Sequence, residues 1–370
     1  MKRIYIHVPF CISKCAYCDF YSIEGNELQE LYVSALIKEL ELRKSEKSGP
    51  LKSLYFGGGT PSYLDKKILS RIFEYLNSIF SFEPDAEITL EANPENIDDD
   101  KCKTWESFGV NRLSIGVQSF HPDDLKYLQR VHTAEKAISV LKTAKKYFSN
   151  VSADLIHGIP GADDQRFVRN VKILSDLDVS HISMYSLSIE DRSRLKRLIH
   201  NKERADIDEE AQAQQFILAA ETAEKMDYKQ YEISNFCKSG VESKHNTAYW
   251  KGEPYAGFGP SAHSFNGAER RWNIADLKEY ISAVESGTKY FETETIGPQE
   301  KYNEFILTRL RLVEGFSRQE FEQEFGADKF RKILLKTHNS PCFLVSENRI
   351  AFTREGLLLS DALMSELMEA

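Results

Sequence analysis

What most limits the folds open to this chain is a repeated alternation. Short apolar, β-branched runs recur at Ile4–Val8, Leu54–Phe56, Ile88–Leu90, Leu113–Val117, Val151–Ile156 and Ile182–Leu187, with segments of helical spacing between them. Leu28, Tyr32, Leu36 and Leu40 fall at i+4 steps, and Ile68, Leu69, Ile72, Phe73, Leu76 and Ile79 make a second apolar stripe. Leu125–Leu128, Ala134–Phe148 and Phe167–Leu177 supply further helices. Strands alternating with helices predict an α/β fold around a parallel sheet with right-handed crossovers, because a parallel pair needs a helix-length connection. Such units assemble either into an open doubly wound sheet or into a partial barrel.

Polar residues sit at or just beyond the C-terminal end of every one of these runs. They are the loop carrying Cys11, Cys15 and Cys18, then Gly57–Thr60, Glu91, Gln118, Asp154 with His157, and Ser186. In parallel α/β folds that edge is where ligands bind. Any one of these residues could be a cap or a turn, but together they predict one site along one rim.

The cysteines have the spacing C-x3-C-x2-C. A structural zinc ion takes four N or S ligands, and the fourth would have to come from His7, Asp19, Cys102, Cys237 or Cys342, none of which forms a second close pair. Three clustered thiols leave an odd one under a disulfide reading. A [4Fe–4S] cube held by three thiolates keeps one iron free for a small molecule. This spacing, followed by Gly57-Gly58-Gly59-Thr60-Pro61, resembles the radical S-adenosylmethionine (SAM) superfamily, in which the open iron chelates the amino and carboxylate groups of SAM. The three glycines let backbone approach such a ligand closely. Glu91 and Asp154 are acceptors suited to its amino group and ribose hydroxyls, and Arg130 can pair with its carboxylate. Tyr17, between the second and third cysteines, can shield the cluster or stack on adenine.

Charge narrows the partners. With 48 basic and 57 acidic side chains the net charge is −9, unfavourable for general nucleic-acid binding, which relies on Lys and Arg. The basic stretch Arg192–Arg197 reads as a solvated helix face. Six cysteines without a paired framework suggest a reducing compartment. The opening residues run straight into the motif, leaving no room for a signal peptide, and no apolar run approaches the roughly 18 residues a membrane span needs. A cytoplasmic protein is expected, with peripheral membrane contact left open.

Further motifs narrow the resemblance. Tyr5-Ile-His-Val-Pro-Phe-Cys, Gly-Gly-Gly-Thr-Pro-Ser, Glu91-Ala-Asn-Pro, Arg112-Leu-Ser-Ile-Gly-Val-Gln-Ser-Phe, Arg130-Val-His, Asp154-Leu-Ile-His-Gly-Ile-Pro-Gly and Tyr231-Glu-Ile-Ser-Asn-Phe are similar to the oxygen-independent coproporphyrinogen III oxidase-like family. The resemblance implies a partial (β/α)6 radical SAM barrel with a small, mainly helical C-terminal domain. It also implies SAM contacts from Tyr5, Gly58, Gly59, Thr60, Glu91, Gln118, Arg130, Asp154 and Ser186. The oxidase branch of that family carries a long N-terminal extension and a fourth cysteine two residues after the third, where this chain has Phe20. Cys18-Asp19-Phe20 and His245-Asn246-Thr247-Ala248-Tyr249-Trp250 instead match the haem chaperone (HemW-type) branch.

That branch implies a protein that binds haem beside a SAM-ligated [4Fe–4S] cluster and passes haem to haemoproteins, respiratory ones among them. The alternative is coproporphyrinogen III dehydrogenase activity in porphyrin biosynthesis. His245 is the expected haem ligand, with Tyr249 and Trp250 as flat apolar surface and His263 as a second candidate. The plainer alternative is a loop-capping His245 among core aromatics. Ile189–Lys202 departs from the family's usual acid-Pro turn. Three regions are expected: a barrel over 1–235, an aromatic and Gly-rich connection over 236–296, and a C-terminal domain over 297–370. The last suits packing or partner contact better than DNA binding, and the protein could be a monomer or a dimer.

Overall fold

The computed structural model describes residues 1–369. Each expected apolar run is a strand: β1 (Arg3–Val8), β2 (Leu51–Gly58), β3 (Phe82–Ala92), β4 (Arg112–Gln118), β5 (Asn150–His157) and β6 (His181–Ser186). They pair in that order, all parallel. Helices α1 (Gln29–Arg43), α2 (Lys66–Ile79), α3 (Asp99–Ser107), α4 (Ala134–Ala144) and α5 (Asp164–Asp176) make the crossovers, and α6 (Glu209–Lys225) follows β6. All but α1 start on a side-chain cap, from Asp65, Asp98, Thr133, Asp163 and Asp208, which satisfies a backbone N–H the helix cannot pair itself.

The strands alternate sharply. Ile4, Ile6, Leu54, Phe56, Ile88, Leu90, Leu113, Ile115, Val151, Ala153, Ile182 and Met184 pack outward into one core with the helices. The intervening residues, Tyr5, Ser53, Tyr55, Glu87, Glu91, Arg112, Ser114, Ser152, Asp154 and His181, stand on the opposite, inner face. They are polar and largely paired with one another or with buried neighbours. The barrel lumen is therefore a polar interior.

The segment expected merely to connect contributes to the main sheet. Strands β7 (Lys229–Gln230) and β8 (Asn235–Cys237) extend it antiparallel beyond β6, and β9 (Ala256–Phe258) pairs parallel with β1. The boundary expected at 235/236 thus falls inside β8. Between β8 and β9, helix α7 (Lys244–Trp250) lies against β2 at the base of the barrel. A three-stranded sheet of His263–Phe265, Glu269–Asn273 and Phe291–Thr295 follows. It is tied to α1 by Glu39, which is fully buried and accepts from Arg43, Asn273, Tyr280 and the Gly259 amide.

Beyond Gly297, helices Pro298–Arg309, Arg318–Phe325, Ala327–Thr337 and Ser360–Leu367 surround a short three-stranded sheet. Tyr302, Ile306, Phe321, Phe330, Ile333 and Phe352 form a second apolar cluster, which also takes in Phe216 from α6.

Candidate functional site

The glycine turn after β2 is dictated by crowding. Gly58 has φ +106°, and a Cβ there would lie 2.6 Å from the His7 ring. A Cβ on Gly59 would lie 2.8 Å from the carbonyl oxygens of both Val8 and Phe10. That approach is used: the Gly59 amide donates to Val8 O at 2.7 Å and the Thr60 amide to Phe10 O at 2.7 Å. The turn thereby straps down the start of the cysteine loop, and the Thr60 hydroxyl reaches Cys11 Sγ at 3.4 Å.

Cys11, Cys15 and Cys18 line one wall of a cavity of about 590 Å³. Its other walls carry Tyr17, Gly58, Gly59, Thr60, Glu91, Gln118, Arg130, Asp154 and Ser186. The structure thus brings together almost every residue the sequence assigned to the rim. Gln118 ends β4 at φ +68°, an uncommon conformation for a residue with a side chain, where the pairing with β5 shifts register.

Charges in the cavity come in two sets. Arg130 is anchored by Asn93 Oδ1 and Gly116 O, both at 2.7 Å, and donates to Cys15 Sγ at 3.1 Å, while its buried Nε has no partner. Glu91 and Asp154 face it from β3 and β5. Burial pushes the Glu91 carboxyl up to about 7, against the Tyr55 hydroxyl bond that pulls it down, and the Asp154 charge adds to the rise. Asp154 is raised too, chiefly by burial. Two carboxyls whose burial outweighs the neighbouring guanidinium charges, with Arg130 on the same cavity, suit a ligand carrying both cationic and carboxylate groups.

The sulfur wall fits a cluster better than a single ion. Among the described residues, no three His, Cys, Asp or Glu side chains converge as one metal ion requires. A cube accepts each thiolate on a different iron. Burial pushes the Cys11 thiol up and Cys18 up to about 11, and neighbouring cysteines add to both. A positive centre among them is what would make all three thiolates.

Four expected residues lie elsewhere. Tyr5 is half-buried in the lumen, with its hydroxyl 3.1 Å from His7 Nδ1. His157 is buried behind the cavity and supports Ser186 at 3.1 Å. His245, fully buried in α7, is not brought to the cysteines. Its Nδ1 lies 2.8 Å from Ser53 Oγ and its Nε2 2.7 Å from Tyr249 Oη, so neither nitrogen is open to an iron in this structure. Burial lowers its pKa to about 3. His245 stands inside α7, whose N-cap is Ser243, rather than capping a loop, and Tyr249 and Trp250 are half-buried. His263 is exposed and stacks on Trp272, with ring centroids 6.2 Å apart.

Sequence reasoning missed Asn93 and Gly116 as supports of Arg130. Asn93 reads as an ordinary turn before Pro94. Gly116 reads as an ordinary strand residue, yet a Cβ there would come within 2.8 Å of Asn93.

A parallel barrel with a three-cysteine loop and a charged cavity at its C-terminal rim defines a radical SAM protein. The Radical SAM superfamily matches residues 5–174 and the HemN C-terminal domain matches residues 296–359. The solved coproporphyrinogen III oxidase HemN of Escherichia coli superposes with a TM-score of 0.84 at 22% identity, covering 99% of this chain and 89% of that one, a likeness of fold. Heme chaperone HemW of Bacillus subtilis is 34% identical over 98% of this chain and 97% of its own length. Heme chaperone HemW of Mycobacterium tuberculosis is 32% identical over 99% and 94%. The chain belongs to the HemW family, the haem chaperone branch of the coproporphyrinogen III oxidase-like radical SAM proteins.

Proposed function

We propose that this protein binds haem, holds a SAM-ligated [4Fe–4S] cluster, and transfers haem to acceptor haemoproteins. The observation that carries this reading is the near full-length similarity to HemW, 34% identity with both chains covered almost end to end. Cys11, Cys15 and Cys18 would hold the cluster. Arg130, which lines the cavity, would meet the carboxylate of SAM, and Glu91 its amino group. Asp154 would take the ribose hydroxyls, and Gly58, Gly59, Thr60, Gln118, Ser186 and Tyr17 would shape the pocket around the ligand. A SAM-bound cluster supplies one-electron chemistry when present; here the proposed role is assembly or triggering of haem transfer. The acceptors would be respiratory haemoproteins. No helix among the described residues is long and apolar enough to cross a membrane.

One preparation tests the reading. Protein reconstituted anaerobically with iron and sulfide is titrated with haem and, in parallel, assayed with SAM and coproporphyrinogen III. Stoichiometric haem binding without protoporphyrinogen formation is expected. Turnover to protoporphyrinogen without haem binding overturns it in favour of the dehydrogenase. His245→Ala is expected to bind haem like the parent, because the ring is closed off at the barrel base; a lost haem spectrum would show that α7 opens to present it.

A further inference from the structure

The His-Asn-x-x-Tyr-Trp motif lies at the end of the barrel away from the cysteines, yet one line of side chains joins it to the rim cavity. The imidazole of His245 is clamped between Ser53 and Tyr249, and its backbone amide is held by Glu87 at 2.9 Å. The ring stacks on Tyr55, with centroids 5.1 Å apart and planes at 29°. Tyr5 flanks Tyr55 in turn, at 6.2 Å and 29°. The Tyr55 hydroxyl, one layer higher in the barrel, donates to Glu91 Oε1 at 2.7 Å. Gly57 makes room for this pair: a Cβ there would lie 2.9 Å from the Tyr55 ring and 3.0 Å from the Glu91 carboxylate.

We infer that the motif helix positions the SAM site: His245, acting through the stacked Tyr55, fixes the Glu91 carboxylate for the amino group of its ligand. The inference rests on the SAM reading of the rim cavity. An alternative role for α7, as a passive plug under the sheet, requires only that its residues be buried. It gives no reason for the His245 ring to lie flat against the tyrosine whose hydroxyl holds the ligand-facing carboxylate. A carboxylate that accepts a fixed hydrogen bond loses less orientational freedom on binding, and the same bond favours its ionised form. Other groups also face Glu91, namely the Gly58 amide, Tyr5, Arg112, Asp154, Tyr185 and, from the motif helix, Tyr249. They are the same in a Tyr55 variant, so a change there reports the hydroxyl.

The test is the dissociation constant of SAM from the reconstituted protein between pH 5.5 and 8.5, for the parent, Tyr55→Phe, His245→Ala and Thr247→Val. Melting temperatures are recorded alongside. Tyr55→Phe should weaken SAM about ten-fold at neutral pH, the size of one hydrogen bond to a charged group. It should also move the pH midpoint of binding upward, because Glu91 loses a donor to its ionised form. His245→Ala should shift the midpoint the same way by less, while Thr247→Val, on the same helix but outside the line, leaves it in place. A Tyr55→Phe protein with the parent's affinity and midpoint overturns the inference. So does a His245→Ala protein that melts earlier with an unmoved midpoint. Failure of the parent itself to bind SAM would instead sink the reading of the cavity.

Discussion

At the scale of single residues the site depends on a few positions where nothing larger fits. Gly58 combines positive φ with a ring against its α-carbon, so Gly58→Ala should lower stability by about 1–3 kcal/mol, read by urea denaturation, and should abolish SAM binding. Glu91 shows the opposite relation between stability and function. Its raised carboxyl keeps a proton that the unfolded chain gives up, so the folded state loses stability as pH rises from about 4.5 through about 7. Glu91→Gln should therefore stabilise the ligand-free protein at pH 8 by on the order of 3 kcal/mol, do nothing at pH 4, and weaken SAM. Parallel pH–melting curves for the two proteins would refute this. The cysteines, the glycines and most rim residues were legible because their chemistry is conspicuous. Asn93 and Gly116 were not, because their role is to hold Arg130, and a supporting contact leaves no compositional mark.

Among elements, the six parallel strands were readable and the three short ones joining them were not. Strands of two or three residues carry too few side chains to show a period. Reading the runs by their apolar members also hid the lumen, since Glu87, Arg112 and His181 look like strand ends in sequence and prove to be a buried polar layer. Glu87 makes this concrete: its carboxylate receives the amides of both Lys244 and His245, at 2.9 Å each, at the N-terminus of α7. Glu87→Ala should cost about 1–3 kcal/mol by leaving these donors unpaired, and hydrogen exchange should quicken in α7 ahead of β2. Uniform exchange along both elements would show that the helix is held by packing alone.

Across the whole molecule, two long-range ties decide what can be cut away. Glu39 joins α1 to the sheet beyond β9. Breaking that buried ion pair by Glu39→Ala should cost about 3–5 kcal/mol, visible as a large drop in melting temperature. Phe216 joins the barrel to the C-terminal cluster, with Ile217 and Ile233 packed beside it. A chain ending at residue 296 would expose all three and should melt below the parent and self-associate; a truncated protein as stable and monodisperse as the parent would show that the cluster does not need α6. The expected boundary near 297 is easy to see in sequence. Phe216 is not, because the short apolar run Phe216–Leu218 in an Ala- and Gln-rich helix announces no particular partner.

The strap between the glycine turn and the cysteine loop has a practical meaning. Both of its hydrogen bonds run between backbone groups alone. A cradle whose walls are tied in this way would be able to lose an inorganic cargo to oxygen and be refilled without rebuilding them. Hydrogen exchange at the Gly59 and Thr60 amides should accordingly be as slow in cluster-free protein as in reconstituted protein; rapid exchange in the former would mean that the walls form only around the cargo.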